Sequence, residues 1–107
     1  VNKYGNIKAC YNGHTFASKK ERDRYCELLL LESDGQIRNL ALQPRYLLIP
    51  ETPGERACTY TADFWYMENG RIVVEDVKSE ATSKDKAYIV KRKLFKYQNP
   101  GIEFREA

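Results

Sequence analysis

The chain has 107 residues and a formal net charge of +3, which suits one domain, residues 1–107, built around a single core. With 42% hydrophobic and 31% charged residues it lacks the profile of a disordered chain, and so small a charge is only a weak pointer to a polyanionic partner. The longest apolar run, Leu28 to Leu31, is far too short to span a bilayer.

No secretory pattern opens the sequence. Cys10, Cys26 and Cys58 are odd in number and form no C-x-x-C pair. They read as reduced thiols of a cytoplasmic protein, not as a disulfide framework or a zinc knuckle. A domain of this size buries only about two-thirds of the surface of its unfolded chain. Any substrate cleft is therefore expected to be shallow, or completed by a second subunit.

In chain order, residues 1–17 read as a short hairpin or extended arm, with Asn12-Gly13 as its turn. A helix is expected from Ser18, where Ser18 and Glu21 have capping-box spacing; Tyr25, Leu28 and Leu29 recur at helical intervals and Gly35 stops it. Leu40 to Ile49 is broken by Pro44, and Tyr46 to Ile49 reads as a strand. The loop 51–55 precedes a strand over Thr59 to Tyr66. Asn69-Gly70 is a two-residue hairpin turn into Ile72 to Lys78. A second helix is predicted over Ser83 to Tyr97, capped by Thr82 or Ser83, with Ala87, Val90, Leu94 and Tyr97 along its inner face. Asn99-Pro100-Gly101 ends it, and Ile102 to Arg105 forms a last strand. Helix, three strands, helix, strand describes an α/β domain with a mixed sheet.

Several charged residues fit this core poorly. Asp76 and Lys78 are two apart on a valine-rich strand, so they share a face of what should be a central strand. Burying them costs several kcal/mol unless they are paired or bind something. The Asn69-Gly70 turn sets Asp63 opposite Asp76. Two such carboxylates repel, and a hard divalent cation, magnesium or manganese, removes the conflict. The plain alternative is a strand-end ion pair between Asp76 and Lys78 with Asp63 solvated. Glu21 lies on the same stripe as Tyr25, Leu28 and Leu29 and can reach the sheet; its ordinary role is the capping box. Glu75 points away from Asp76 by alternation, and a one-residue bulge would exchange the two.

Asp63, a hairpin and Asp76-Val77-Lys78 together resemble the PD-(D/E)xK motif of restriction-endonuclease-like nucleases, and Glu21 resembles their additional acidic ligand. The stretches 16–21, 42–44 and 60–64 look like a family of small phage and prophage endonucleases that resemble Holliday-junction resolvases. The resemblance covers residues 14–98, with Ala62 in place of the motif's proline. It implies a restriction-endonuclease-like core and a Mg²⁺- or Mn²⁺-dependent endodeoxyribonuclease. It implies catalytic Glu21, Asp63, Asp76 and Lys78, with metal held by Glu21, Asp63, Asp76 and the Val77 carbonyl. Lys78 is expected to orient the attacking water or neutralise the transition state.

Lys84 and Lys86 at the start of the second helix, and Lys19 and Lys20 at the start of the first, are expected to contact phosphates; Arg22 and Arg24 join the latter cluster. Lys91 to Lys96 read as a solvated face. Gln43 either supports the site or is simply a loop residue before Pro44. His14 is expected at a turn. With no base-reading module in view, the expected partner is branched or otherwise non-duplex DNA, cut by a structure-selective enzyme in a bacterial host's cytoplasm. A resolvase would be a homodimer. The alternative is a nucleic-acid-binding or assembly module that keeps the fold without cleaving.

Overall fold

The computed structural model describes residues 9–107, so the first part of the predicted arm lies outside the described residues. Strands β1 (Ala9–Tyr11) and β2 (His14–Phe16) form the expected hairpin. Asn12 and Gly13 both take positive φ, as the tight primed turn requires. Helix α1 (Lys19–Ser33) starts where Ser18 accepts a hydrogen bond from the Glu21 amide, and it buries Glu21, Tyr25 and Leu28. At its far end Gly35 takes a left-handed φ of 79°, and the Gly35 and Gln36 amides satisfy the Glu32 and Leu31 carbonyls.

The central sheet has four strands in the order β3 (Arg38–Leu42), β6 (Phe64–Glu68), β7 (Arg71–Asp76), β8 (Glu103–Glu106). The first two pairings are antiparallel and the last is parallel, so the sheet is mixed, as predicted. A separate two-stranded sheet pairs β4 (Arg45–Ile49) with β5 (Cys58–Thr61). One predicted strand is therefore divided, and one strand is added. Thr59 to Tyr66 is not one strand: it breaks at Ala62 and Asp63, between β5 and β6. The run before Pro44 is a strand of its own, β3. Pro44 has no N–H for a ladder, and the chain turns at Gln43, φ 54°, before resuming as β4.

The predicted second helix also divides. A single turn, α2 (Glu80–Ser83), is capped by Ser79, and the main helix, α3 (Lys86–Gln98), is capped by Asp85, which accepts from the Tyr88 amide. Neither Thr82 nor Ser83 caps α3. Its inner face is Tyr88 and Phe95; Val90 and Tyr97, expected inside, are exposed.

Helices cover both faces of the central sheet. One core packs α1 and β2 onto it through Phe16, Tyr25, Leu28, Ile37, Phe64, Tyr66 and Val73. The other packs α3 and the small sheet against the opposite face, through Leu48, Tyr60, Ala62, Val74, Tyr88 and Phe95. β7 lies between them with Val73 to Asp76 all buried, which makes it the central strand expected of its sequence. Among the described residues no helix is long and apolar enough to cross a membrane. Cys26 and Cys58 are free thiols.

Candidate active site

Asp63 owes its position to the break between β5 and β6. Its amide still continues the pairing with β7, donating to the Glu75 carbonyl at 3.1 Å, and its carbonyl accepts from the Gln43 amide at 2.9 Å. The hairpin register runs without a bulge from Glu68 opposite Arg71 to Phe64 opposite Glu75. Asp63 and Asp76 are consequently the next pair beyond the ladder, as the Asn69-Gly70 turn foretells. The Asp63 side chain then turns along the strand end and accepts from the Val77 amide at 2.7 Å.

The segment from Asp76 to Lys78 is fixed by its backbone. Ala107 donates to the Asp76 carbonyl at 2.8 Å and accepts from the Lys78 amide at 3.2 Å, extending the β7–β8 pairing past the strands. Lys20 donates to the Lys78 carbonyl at 2.6 Å. Lys78 has left the strand, yet its ammonium stands 3.8 Å from Asp76 and 4.4 Å from the centre of the Tyr88 ring, in cation–π contact with it.

Glu75 belongs to the other face. Arg24 grips it with Nε at 2.5 Å and Nη2 at 3.0 Å, and the Tyr66 hydroxyl donates to it at 2.7 Å. Glu75 is thus a paired core carboxylate, and the bulge that would exchange it with Asp76 is absent from the β6–β7 ladder. This also corrects the reading of the first basic cluster. Arg24 is turned inward to Glu75, and Arg22 is paired with Asp23 at 3.1 Å. Lys19 is exposed; Lys20 is exposed along its stem but spends its ammonium on Lys78. Lys84 and Lys86 are exposed around the α2–α3 junction. In the α3 face read as solvated, Arg92 is paired with Glu106 at 3.5 Å.

Glu21, Asp63, Asp76 and Lys78 meet at this strand end. Burial pushes the Glu21 carboxyl up to about 7, and the Asp63 charge adds to the effect, against a backbone hydrogen bond at Ala17 and the Lys78 charge. Burial pushes Asp76 to about 7 as well. The Tyr60 hydroxyl and Lys78 oppose that rise and Asp63 reinforces it. Three carboxyl groups held this close, two of them poorly hydrated, favour taking up protons or a cation.

The sequence reading did not single out Tyr60 or Tyr88. The Tyr60 hydroxyl donates to Asp76 from β5, which orients that carboxylate and leaves Tyr60 itself strongly reluctant to ionise. Tyr88 lies under Lys78, and its hydroxyl donates to Glu106. Both tyrosines fit a core pattern, and the only signal of another role is the polar handle a buried tyrosine must satisfy.

A groove of about 410 Å³ opens beside the centre, with Glu21, Asp63, Val77 and Lys78 in its wall beside Lys20, Ser79 and Thr82, while Asp76 stays buried. Gln43 lines a second recess that also touches Glu21 and Asp63. Among the described residues no group of three or more His, Cys, Asp or Glu side chains stands in ready metal-holding geometry. Magnesium does not need one, because it keeps several waters and commonly takes one or two carboxylates with phosphate oxygens. Asp63 and Asp76, with hard oxygens and a mutual repulsion that a cation relieves, fit such an ion.

The fold and the site together define a mixed α/β protein with three carboxylates and a lysine gathered at the end of its central strands. Residues 1–106 match the family described as "Protein of unknown function (DUF1064)", and the chain belongs to that family. No curated protein and no solved structure matches it.

Proposed function

We propose that the protein is a metal-dependent endodeoxyribonuclease of the PD-(D/E)xK, restriction-endonuclease-like class, acting on branched or otherwise non-duplex DNA. The observation that carries this reading is the clustering of Glu21, Asp63, Asp76 and Lys78 at the end of β7, where Glu21, Asp63 and Lys78 line an open groove and Asp76 is buried beside them. The mixed sheet with a helix layer on each face supports the same class. A pure binding surface for phosphates gains nothing from three carboxylates, which repel DNA.

In this reading Asp63, Asp76 and the Val77 carbonyl hold Mg²⁺ or Mn²⁺, and Glu21 joins them directly or through water. The bound ion would lower the pKa of a coordinated water and stabilise charge developing on the phosphate. Lys78, steadied by Tyr88 and Asp76, orients the attacking water or neutralises the five-coordinate phosphorus. Tyr60 holds the Asp76 carboxylate in place. Lys19, Lys84 and Lys86 are exposed cations available to flanking phosphates, with Lys20 at the groove edge. A resolvase within this class would act as a dimer with two such centres. A phage or prophage protein working in the bacterial cytoplasm agrees with the sequence resemblance.

Two measurements test the proposal. Labelled four-way junction, flap, nicked and plain duplex DNA should be cut in Mg²⁺ or Mn²⁺ and left intact in EDTA. Millimolar Mg²⁺ should also raise the melting temperature more at pH 8, on the order of 5 °C, than at pH 5, where protons occupy Glu21 and Asp76. DNA binding that needs no metal and survives Asp76→Asn, with no cutting of any substrate, would instead identify a non-cleaving module.

A further inference from the structure

The second recess beside the carboxylates, about 410 Å³, shares Glu21 and Asp63 with the groove but has a different character. No lysine or arginine is among its lining residues, whereas Glu21, Glu32 and Asp63 are. It is therefore a poor place for a phosphate. Leu40 and Leu42 give it an apolar floor. The exposed His14 ring forms one side, braced at 5.6 Å edge-to-face by the buried Tyr25, with Phe16 packed behind at 5.1 Å from Tyr25. At the rim, Glu32 uses one oxygen to accept from the Leu40 amide at 3.0 Å and has the other as an acceptor, and Gln43 contributes an exposed amide.

An apolar floor, an exposed ring and acceptors at the edge suit a flat, neutral, hydrogen-bonding group. The volume lies toward the lower end of pockets that enclose small ligands, about 300–1,000 Å³. Resting on the nuclease reading, we propose that this recess receives one unpaired nucleobase of the DNA strand whose adjoining phosphate lies at Asp63 and Lys78. The base stacks on His14 and presents its amino-bearing edge to Glu32 and Gln43. A base inside a duplex is covered on both faces and cannot enter; a base splayed from its stack can. The recess thus selects DNA with an unpaired nucleotide at the cut, and it gives His14 a role in specificity that needs no proton transfer.

The test uses the full chain with Ca²⁺ in place of Mg²⁺, so that binding is read without cleavage. The probes are a duplex with a single unpaired 2-aminopurine and a fully paired duplex of equal length. The wild type should bind the first at least about tenfold more tightly and quench its fluorescence by stacking. His14→Ala should lose the quench and about tenfold in affinity for the unpaired-base DNA, with no change for the paired duplex; His14→Phe should keep both. Equal wild-type affinity for the two DNAs, or an equal loss on both in His14→Ala, would overturn the inference. Mg²⁺-dependent cutting of both DNAs at equal rates would reject the recess while leaving the nuclease reading intact. A wild type that binds neither DNA would reject both.

Discussion

Asp76→Asn is expected to lower cleavage by at least about a thousandfold while leaving the metal-free protein as stable as the wild type, or more so. The loss follows from two removals together, one anionic oxygen donor to the metal and the charge that pairs with Lys78 at 3.8 Å; a single electrostatic contact at such a centre is commonly worth about 10²–10³ in rate. The stability follows from burial. In the folded protein Asp76 titrates near 7, above its ordinary value of 3.8. A raised pKa stabilises the fold fully below the unfolded value, and that contribution disappears as pH rises through the folded one. The wild type therefore loses stability between about pH 4 and pH 7, and asparagine, which can still accept from Tyr60, does not. Thermal melts of both proteins across that range, without metal, should converge at low pH and separate in favour of Asp76→Asn at pH 8. A variant that melts well below the wild type at pH 8 would show that Asp76 serves the fold and not a site.

Arg24→Ala is expected to have the largest effect on stability, a loss of about 3–5 kcal/mol in denaturant unfolding. Glu75 is fully buried and its charge is met by Arg24, with the Tyr66 hydroxyl as the one other partner among the described residues. Removing the guanidinium leaves a buried carboxylate uncompensated, and a chain of this size has a total stability of only about 5–15 kcal/mol. Adding Glu75→Gln in the Arg24→Ala background should recover part of the loss, because the amide needs no counter-charge. A loss below about 1 kcal/mol for Arg24→Ala would mean that the pair behaves as a surface salt bridge. The contrast between neighbouring residues is informative. Glu75 and Asp76 are equally buried, but one is neutralised by arginine and the other faces a second carboxylate with a lysine at longer range.

Much of this arrangement is legible in the sequence because tight turns fix register. Asn69-Gly70 alone sets Asp63 against Asp76, and Ser18 with the Tyr25, Leu28 stripe aims Glu21 at the sheet. The less legible features are those set by tertiary packing. The break at Ala62 and Asp63 falls inside a continuous run of strand-forming residues, and it appears only because β5 pairs with β4 while β6 pairs with β3 and β7. β3 is hidden by the positive φ of Asn39 and a register shift between Arg38 and Ala41, which spoil its alternation. On α3, alanine, valine and leucine suggest an inner face at Ala87, Val90 and Leu94. The larger rings of Tyr88 and Phe95, seven residues apart, fill most of the space beneath the sheet, with Leu94 packed beside them and Ala87 and Val90 turned to solvent. Lys20 reads as a phosphate contact because its partner is a backbone carbonyl fifty-eight residues away, which no local pattern can announce.

The most direct test of the proposed catalytic centre is single-turnover cleavage of a labelled four-way junction in Mg²⁺, with wild type beside Lys78→Ala. Lys78 is partly exposed and stands outside both cores, so its truncation should spare the fold. Metal-dependent strand cleavage by the wild type, reduced about 10²–10³-fold in Lys78→Ala, is the expected result. Equal rates in the two proteins, or no cutting by a folded wild type in Mg²⁺ or Mn²⁺, would contradict it.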